Sequence, residues 1–172
     1  MIELKPGDQF FLIQNKTILQ KGINLIQSFW AWIGGRDKSE SPHTGTILNE
    51  WGDTFESRFK IGTYNMKDYK GCRIRIYRDD RMTIDKHKNG WAAIKIYEGL
   101  IYPVHRLPYF IAPGMAETLH IIPVPVCSEN AGKYLFCARI RPLPYWGTDV
   151  DELEDWWKAN PHGKLIYNDI WK

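Results

Sequence analysis

The chain of 172 residues is short of cysteine, of long apolar runs and of excess charge of either sign, and each shortage excludes something. Its three cysteines, Cys72, Cys127 and Cys137, are odd in number and contain no CxxC pair. That argues against a disulfide framework and against a cysteine-rich zinc site, and no metal or cofactor is expected. The longest apolar window without a charge, Gly22 to Gly35, has 14 residues, short of the roughly 20 that span a bilayer. Met1-Ile2-Glu3-Leu4-Lys5-Pro6 lacks a basic region followed by an apolar stretch, so no signal peptide is expected. A reducing, cytoplasmic setting follows as the expectation. The 23 basic and 20 acidic residues leave a charge of +3, which permits an anionic partner without requiring one.

What is present suits a folded body. Apolar residues make up 44% and aromatics 14% of the chain, too much for a disordered segment. No repeat, low-complexity tract or linker breaks it, so residues 1–172 read as one domain. After Pro6-Gly7-Asp8, the run Gln9-Phe10-Phe11-Leu12-Ile13 predicts a buried strand entered from a turn. Leu19, Ile23, Ile26, Trp30 and Ile33 recur at three- and four-residue steps, the stripe of a core-packed helix closed by Gly34-Gly35. His43 to Asn49 has strand character, Glu50-Trp51-Gly52-Asp53 supplies turn chemistry, and Thr54-Phe55-Glu56-Ser57 returns antiparallel.

Cys72 to Arg78 alternates apolar and basic residues, as a strand with one wet face does. Asp85 to Glu98 predicts a helix ended by Gly99. The prolines between Tyr102 and Val126 favour loop or extended chain, and a helix resumes at Cys127 with Ala131, Tyr134, Leu135 and Ala138 on one face. The acids from Asp149 to Asp155 read as caps of a last helix rather than as a metal site. Residues 139–172 carry no assigned role.

Chemistry concentrates at Cys127. Val124-Pro125-Val126 imposes an extended approach, and the first turn of the following helix leaves free N–H groups with a partial positive charge. Such a position favours a thiolate, and the same N–H groups suit the oxyanion of a tetrahedral intermediate. A thiolate needs a base, and of the five histidines His43 is the candidate, because it opens an apolar strand and is held by a sheet. The hairpin brings Glu56 back beside that strand, where its carboxylate orients the imidazole; Glu50 is the rival, in the turn itself. Cys72 and Cys137 have no such setting.

Taken in order, Lys5-Pro6-Gly7-Asp8, Ser41-Pro42-His43-Thr44-Gly45, Thr54-Phe55-Glu56-Ser57, Cys72-Arg73-Ile74-Arg75 and Cys127-Ser128-Glu129 resemble the circularly permuted NlpC-type, papain-like cysteine hydrolases of the YiiX and YebB kind. The resemblance implies an α+β fold, with an antiparallel sheet or small barrel packed against helices. It implies Cys127 as nucleophile, His43 as base and Glu56 as the polar third member. Tyr102 looks like the family's tyrosine near the oxyanion site, with Ser128 as a second oxyanion candidate.

The function expected is a thiol hydrolase acting on an amide or ester, in a peptide or an acylated small molecule. One alternative is lipid-acyl hydrolysis or transfer of the related lecithin retinol acyltransferase type, in which the helix carrying Phe29, Trp30 and Trp32 would touch a membrane. Another is a binding or interaction protein without turnover. Arg73, Arg75, Arg78 and Arg81 with Tyr77 make a basic, aromatic strand, but the small net charge and the lack of a named motif speak against nucleic acid.

Overall fold

A computed structural model describes residues 2–14, 41, 43–101, 124–142 and 145–172. The helix expected around Leu19 to Ile33 and most of the proline-rich stretch, with Tyr102, lie outside the described residues. Among those described, the fold is α+β: six strands form one antiparallel sheet, accompanied by three α-helices. The strands are β1 (Gln9–Gln14), β2 (His43–Ile47), β3 (Asp53–Ser57), β4 (Ile61–Asn65), β5 (Arg73–Asp79) and β6 (Gly163–Ile170). The helices are α1 (Ile84–Lys95), α2 (Cys127–Cys137) and α3 (Val150–Ala159). Strand order is β4-β3-β2-β1-β5-β6, an open sheet with β4 and β6 at its edges.

Strand β1 sits inside the sheet, paired with β2 and β5, and its apolar run serves both faces. Phe10 and Leu12 join a cluster with Ile47, Ile74, Ile76 and Tyr69, while Phe11 joins Phe55, Tyr134, Leu153 and Trp157 in a second one. The alternation follows from the two-residue period of a strand. The second cluster is where the helices pack, and α2 lies against β2 and β3.

Local signals explain the ends of the elements. The side chain of Thr83 caps α1 by accepting from Lys86 N, and that of Asp149 caps α3 by accepting from Glu152 N, as expected for acids at a helix start. β6 closes the sheet beside β5, and Trp171 N donates to Cys72 O at 2.8 Å beyond its end. No described helix is long and apolar enough to cross a membrane.

Helices α1 and α2 meet at Gly90, where an added Cβ would lie 2.7 Å from Cδ2 of Tyr134 and 2.9 Å from its backbone oxygen. Nearby, the Tyr134 hydroxyl lies 2.7 Å from Nδ1 of His87, so this histidine serves helix packing. Because backbone cannot swing aside, overpacking outweighs the helix propensity that alanine adds. Gly90→Ala is therefore expected to cost about 1–3 kcal/mol, read from the urea midpoint. Gly62→Ala, where a Cβ meets nothing within 4 Å, is expected to cost no stability in the same measurement.

Candidate active site

Three elements converge on the His43 ring. His43 is the first residue of β2, Glu56 comes from the neighbouring β3, and Cys127 is the first residue of α2. Glu56 reaches the imidazole because Gly45 leaves the space open. A Cβ there would lie 2.6 Å from Glu56 Cγ and 2.6 Å from Phe10 Cε1. Oε2 of Glu56 stands 2.9 Å from Nε2 of His43. The Cys127 side chain is the ring's other near neighbour and, with Glu56, raises its pKa. With Nε2 occupied by Glu56, Nδ1 is the ring nitrogen left for a second partner.

The nucleophile candidate is held in place from both sides. The segment before α2 enters extended, with Val126 at φ −79° and ψ 177°. Asn130, on the next turn of α2, donates to Ser57 Oγ at 2.7 Å, and Ser57 Oγ in turn donates to Pro125 O at 3.4 Å. The end of β3 is thereby tied to the helix start. Glu129 closes the turn: its Oε2 accepts from Val126 N at 3.1 Å and its Oε1 from Gly147 N at 3.0 Å. Val126 at the N-cap offers no side-chain acceptor, so the first-turn N–H groups of Cys127 and Ser128 get no cap from it.

Glu56 is fully buried, and its carboxylate collects five donor atoms from four residues. Besides His43, Arg58 Nε donates to Oε2 at 2.8 Å and Arg58 Nη2 to Oε1 at 3.3 Å. The Tyr69 hydroxyl donates to Oε2 at 2.5 Å, and the Thr54 hydroxyl donates to Oε1. Burial alone would raise Glu56, but the hydrogen bond and charge of His43, and then those of Arg58, overcome it and hold the acid at about 2. Burial alone would lower His43; hydrogen bonds with Cys127 and then Glu56 outweigh it and lift the ring to about 9.

Among the residues singled out from sequence, Cys127, His43 and Glu56 are thus brought together. Ser128 is buried at the second position of α2, and Glu50 lies on the exposed turn, away from this network. Tyr102 lies outside the described residues. Cys72 is buried in the cluster around Phe10, and Cys137 is half-buried at the far end of α2. Sequence reasoning missed Arg58 and Tyr69. Arg58 carried a signal, since Thr54, Glu56 and Arg58 share the parity of one strand face. Tyr69 carried none, because it arrives through a 3₁₀ turn, Met66–Tyr69, started by the Asn65 side chain.

A search of protein-family models and a search of curated proteins each found no match. Among solved structures, the chain is similar to the crystal structure of metalloprotein YiiX from Escherichia coli O157:H7, with a TM-score of 0.61 and 15% identity, covering 99% of this chain and 100% of that one. The two proteins share a fold.

The paired shifts set the pH dependence of stability. Glu56, lowered from 4.5 to about 2, contributes stability that is present above its ordinary value and lost as pH falls through about 2. His43, raised from 6.5 to about 9, contributes stability that is present below 6.5 and lost as pH rises through about 9. The pair therefore contributes most between 4.5 and 6.5. Urea midpoints measured across pH are expected to flatten on the alkaline side in His43→Gln. Glu56→Ala, which leaves Arg58 and His43 facing a buried void, is expected to cost about 3–5 kcal/mol at neutral pH.

Proposed function

We propose that the protein is a thiol hydrolase that cleaves an amide or ester bond through a covalent intermediate on Cys127. The observation that carries the reading is the His43 ring, flanked by the Cys127 side chain on one hand and the Glu56 carboxylate on the other. A nucleophile, a base within reach and a group that orients the base form the general arrangement of nucleophilic catalysis. The chain order, histidine then carboxylate then cysteine, supports assigning the fold to the permuted papain-like class of NlpC-type hydrolases, and the YiiX likeness supports the same assignment.

In this reading His43 Nδ1 already holds the proton of Cys127, in keeping with the raised ring, and the Sγ thiolate attacks the carbonyl carbon. The carbonyl π electrons move onto oxygen, where N–H groups at the start of α2 receive the charge. Collapse of the intermediate breaks the bond to the amine or alcohol, which leaves with the proton held by His43. Water then attacks the thioester, giving its proton to the same ring, and the acid departs from sulfur. Glu56 remains ionised throughout and keeps Nε2 protonated, so that Nδ1 is free to take and return the proton. A peptide or an acylated small molecule is the substrate class that fits this chemistry.

YiiX is described as a metalloprotein. The donor set here does not suit an ion. Glu56 is already committed to His43, Arg58, Tyr69 and Thr54, which leaves its oxygens no place for an ion. Among the described residues no group of three His, Cys, Asp or Glu side chains is arranged to hold a metal.

Exposure and chemistry make opposite forecasts for the thiols, which gives a sharp test. Cys137 is the half-buried one, whereas Cys127 and Cys72 are each 7% exposed. Accessibility alone ranks Cys137 first for alkylation. The hydrolase reading expects iodoacetamide to modify Cys127 first in the folded protein, read by peptide mass spectrometry. It also expects His43→Ala to lower p-nitrophenyl acetate hydrolysis by ~10²-fold or more. Modification in the order of exposure, or esterase turnover unchanged in Cys127→Ala, overturns it.

A further inference from the structure

We propose that Arg58 is a positioning residue of this site: its guanidinium, spread across both oxygens of Glu56, keeps that carboxylate ionised and aimed at Nε2 of His43. The proposal rests on the hydrolase reading for its consequence, though not for its geometry.

The need for such a residue follows from burial. The Glu56 side chain has no exposed surface, and a carboxyl group taken out of water without a countercharge stays protonated. Of the groups on it, the hydroxyls of Thr54 and Tyr69 are neutral, and His43 is charged only while it holds its second proton. Arg58 alone, among the described residues around Glu56, carries a permanent charge.

Arg58 is itself held still. Its Nη1 donates to Asp68 Oδ2 at 2.9 Å, and its guanidinium carbon lies 4.1 Å from the ring centre of Tyr64 and 4.9 Å from that of Tyr69. A planar fork fixed on three sides loses little freedom when it grips a carboxylate. Every described element around Glu56 contributes to its charge balance: His43 from β2, Thr54 from its own strand, and Tyr69 and Asp68 from the 3₁₀ turn. Tyr64 of β4 lies behind Arg58, and Cys127 of α2 lies beyond the ring.

Charge neutrality turns this into a functional role. With sulfur as thiolate and His43 as imidazolium, the four groups Cys127, His43, Glu56 and Arg58 sum to zero. Remove the guanidinium and a buried negative charge is left, which a proton on Glu56 relieves. A protonated Glu56 donates to Nε2 instead of accepting from it. The ring proton then moves to Nδ1, and a protonated Nδ1 cannot take the proton of the thiol. The defect is one of tautomer and acid-side pH range, not of packing.

The test compares wild type, Arg58→Gln and Arg58→Lys. Glutamine keeps hydrogen-bond donors near Glu56 and loses the charge; lysine keeps the charge and loses the fork. Two readouts are taken: the Glu56 carboxyl carbon followed by NMR titration, and the pH profile of Cys127 alkylation. In Arg58→Gln the Glu56 midpoint is expected to rise by about 1–3 pH units, the effect of removing an adjacent opposite charge, and the acid limb of alkylation is expected to move the same way. Arg58→Lys is expected to recover most of both shifts. An unmoved Glu56 midpoint in folded Arg58→Gln overturns the proposal, as does a lysine variant shifted as far as glutamine. Should wild-type Cys127 fail to lead in alkylation, the hydrolase reading falls while the carbon titration still decides what Arg58 does to Glu56. Should Arg58→Gln fail to fold, the Arg58→Lys titration decides: a Glu56 midpoint within about a unit of wild type supports a charge-holding role, and a rise comparable to complete loss of the charge (about 1–3 units) rejects it.

Discussion

A carboxylate with no contact with water governs this site. Glu56 sits in the sheet with its charge intact because five donor atoms surround it, one of them on His43 and two on Arg58. Burying an ion costs several kcal/mol, and only dense, charge-assisted hydrogen bonding offsets that. From this one constraint follow the glycine at position 45, the imidazole tied at Nε2, and the placement of that ring near Cys127. Weakening Glu56 therefore disturbs stability and chemistry together, which is why pH profiles separate the two better than activity alone.

The second requirement is mechanical. A histidine in a sheet and a cysteine on a helix stay in register only if the helix start is fixed to the strands. The Asn130–Ser57–Pro125 hydrogen bonds supply that link, and Ser57 directly follows Glu56 in β3. The same short strand thus positions the carboxylate with one residue and the helix with the next. Alternation along a strand makes this economical: neighbouring side chains point to opposite faces, so one can serve the polar network while the other serves the helix.

How much of this was legible beforehand varies with the length scale of the interaction. β1, the β2–β3 hairpin, β5, α1, α2 and α3 all carried local signals: apolar runs, a turn around Gly52, a glycine stop at Gly99, acids from Asp149, and a helical stripe after Cys127. β4 and β6 did not. Ile61–Asn65 is short and contains a glycine, and Gly163–Ile170 is an edge strand with mostly exposed or half-exposed residues, so neither showed a clean alternation. At the site, Cys127, His43 and Glu56 could be singled out from sequence because each has a distinctive local setting. Arg58 and Tyr69 were not, since their importance arises only from where Glu56 is buried. Charge compensation is a property of three-dimensional surroundings, and composition does not show it.

A comparison inside the molecule separates structural burial from chemical purpose. Glu154 is another fully buried carboxylate, on α3, held by Arg75 at 2.9 Å, by the Ser41 hydroxyl at 2.9 Å and by the Tyr77 hydroxyl at 3.2 Å. Like Glu56 it is compensated by arginine and hydroxyl groups, and it joins a helix to the sheet. What it lacks is an imidazole, a partner that can both hold and release a proton. Arginine stays protonated, and neither hydroxyl ionises readily near neutral pH, with Tyr77 pushed further up by burial and by Glu154. The Glu56 network differs in a single member, an imidazole with one nitrogen on the carboxylate and a cysteine at a helix start nearby. Two clusters with the same requirement for charge balance are thus told apart by that ring alone: one joins secondary structure, while the other joins secondary structure and can also pass a proton.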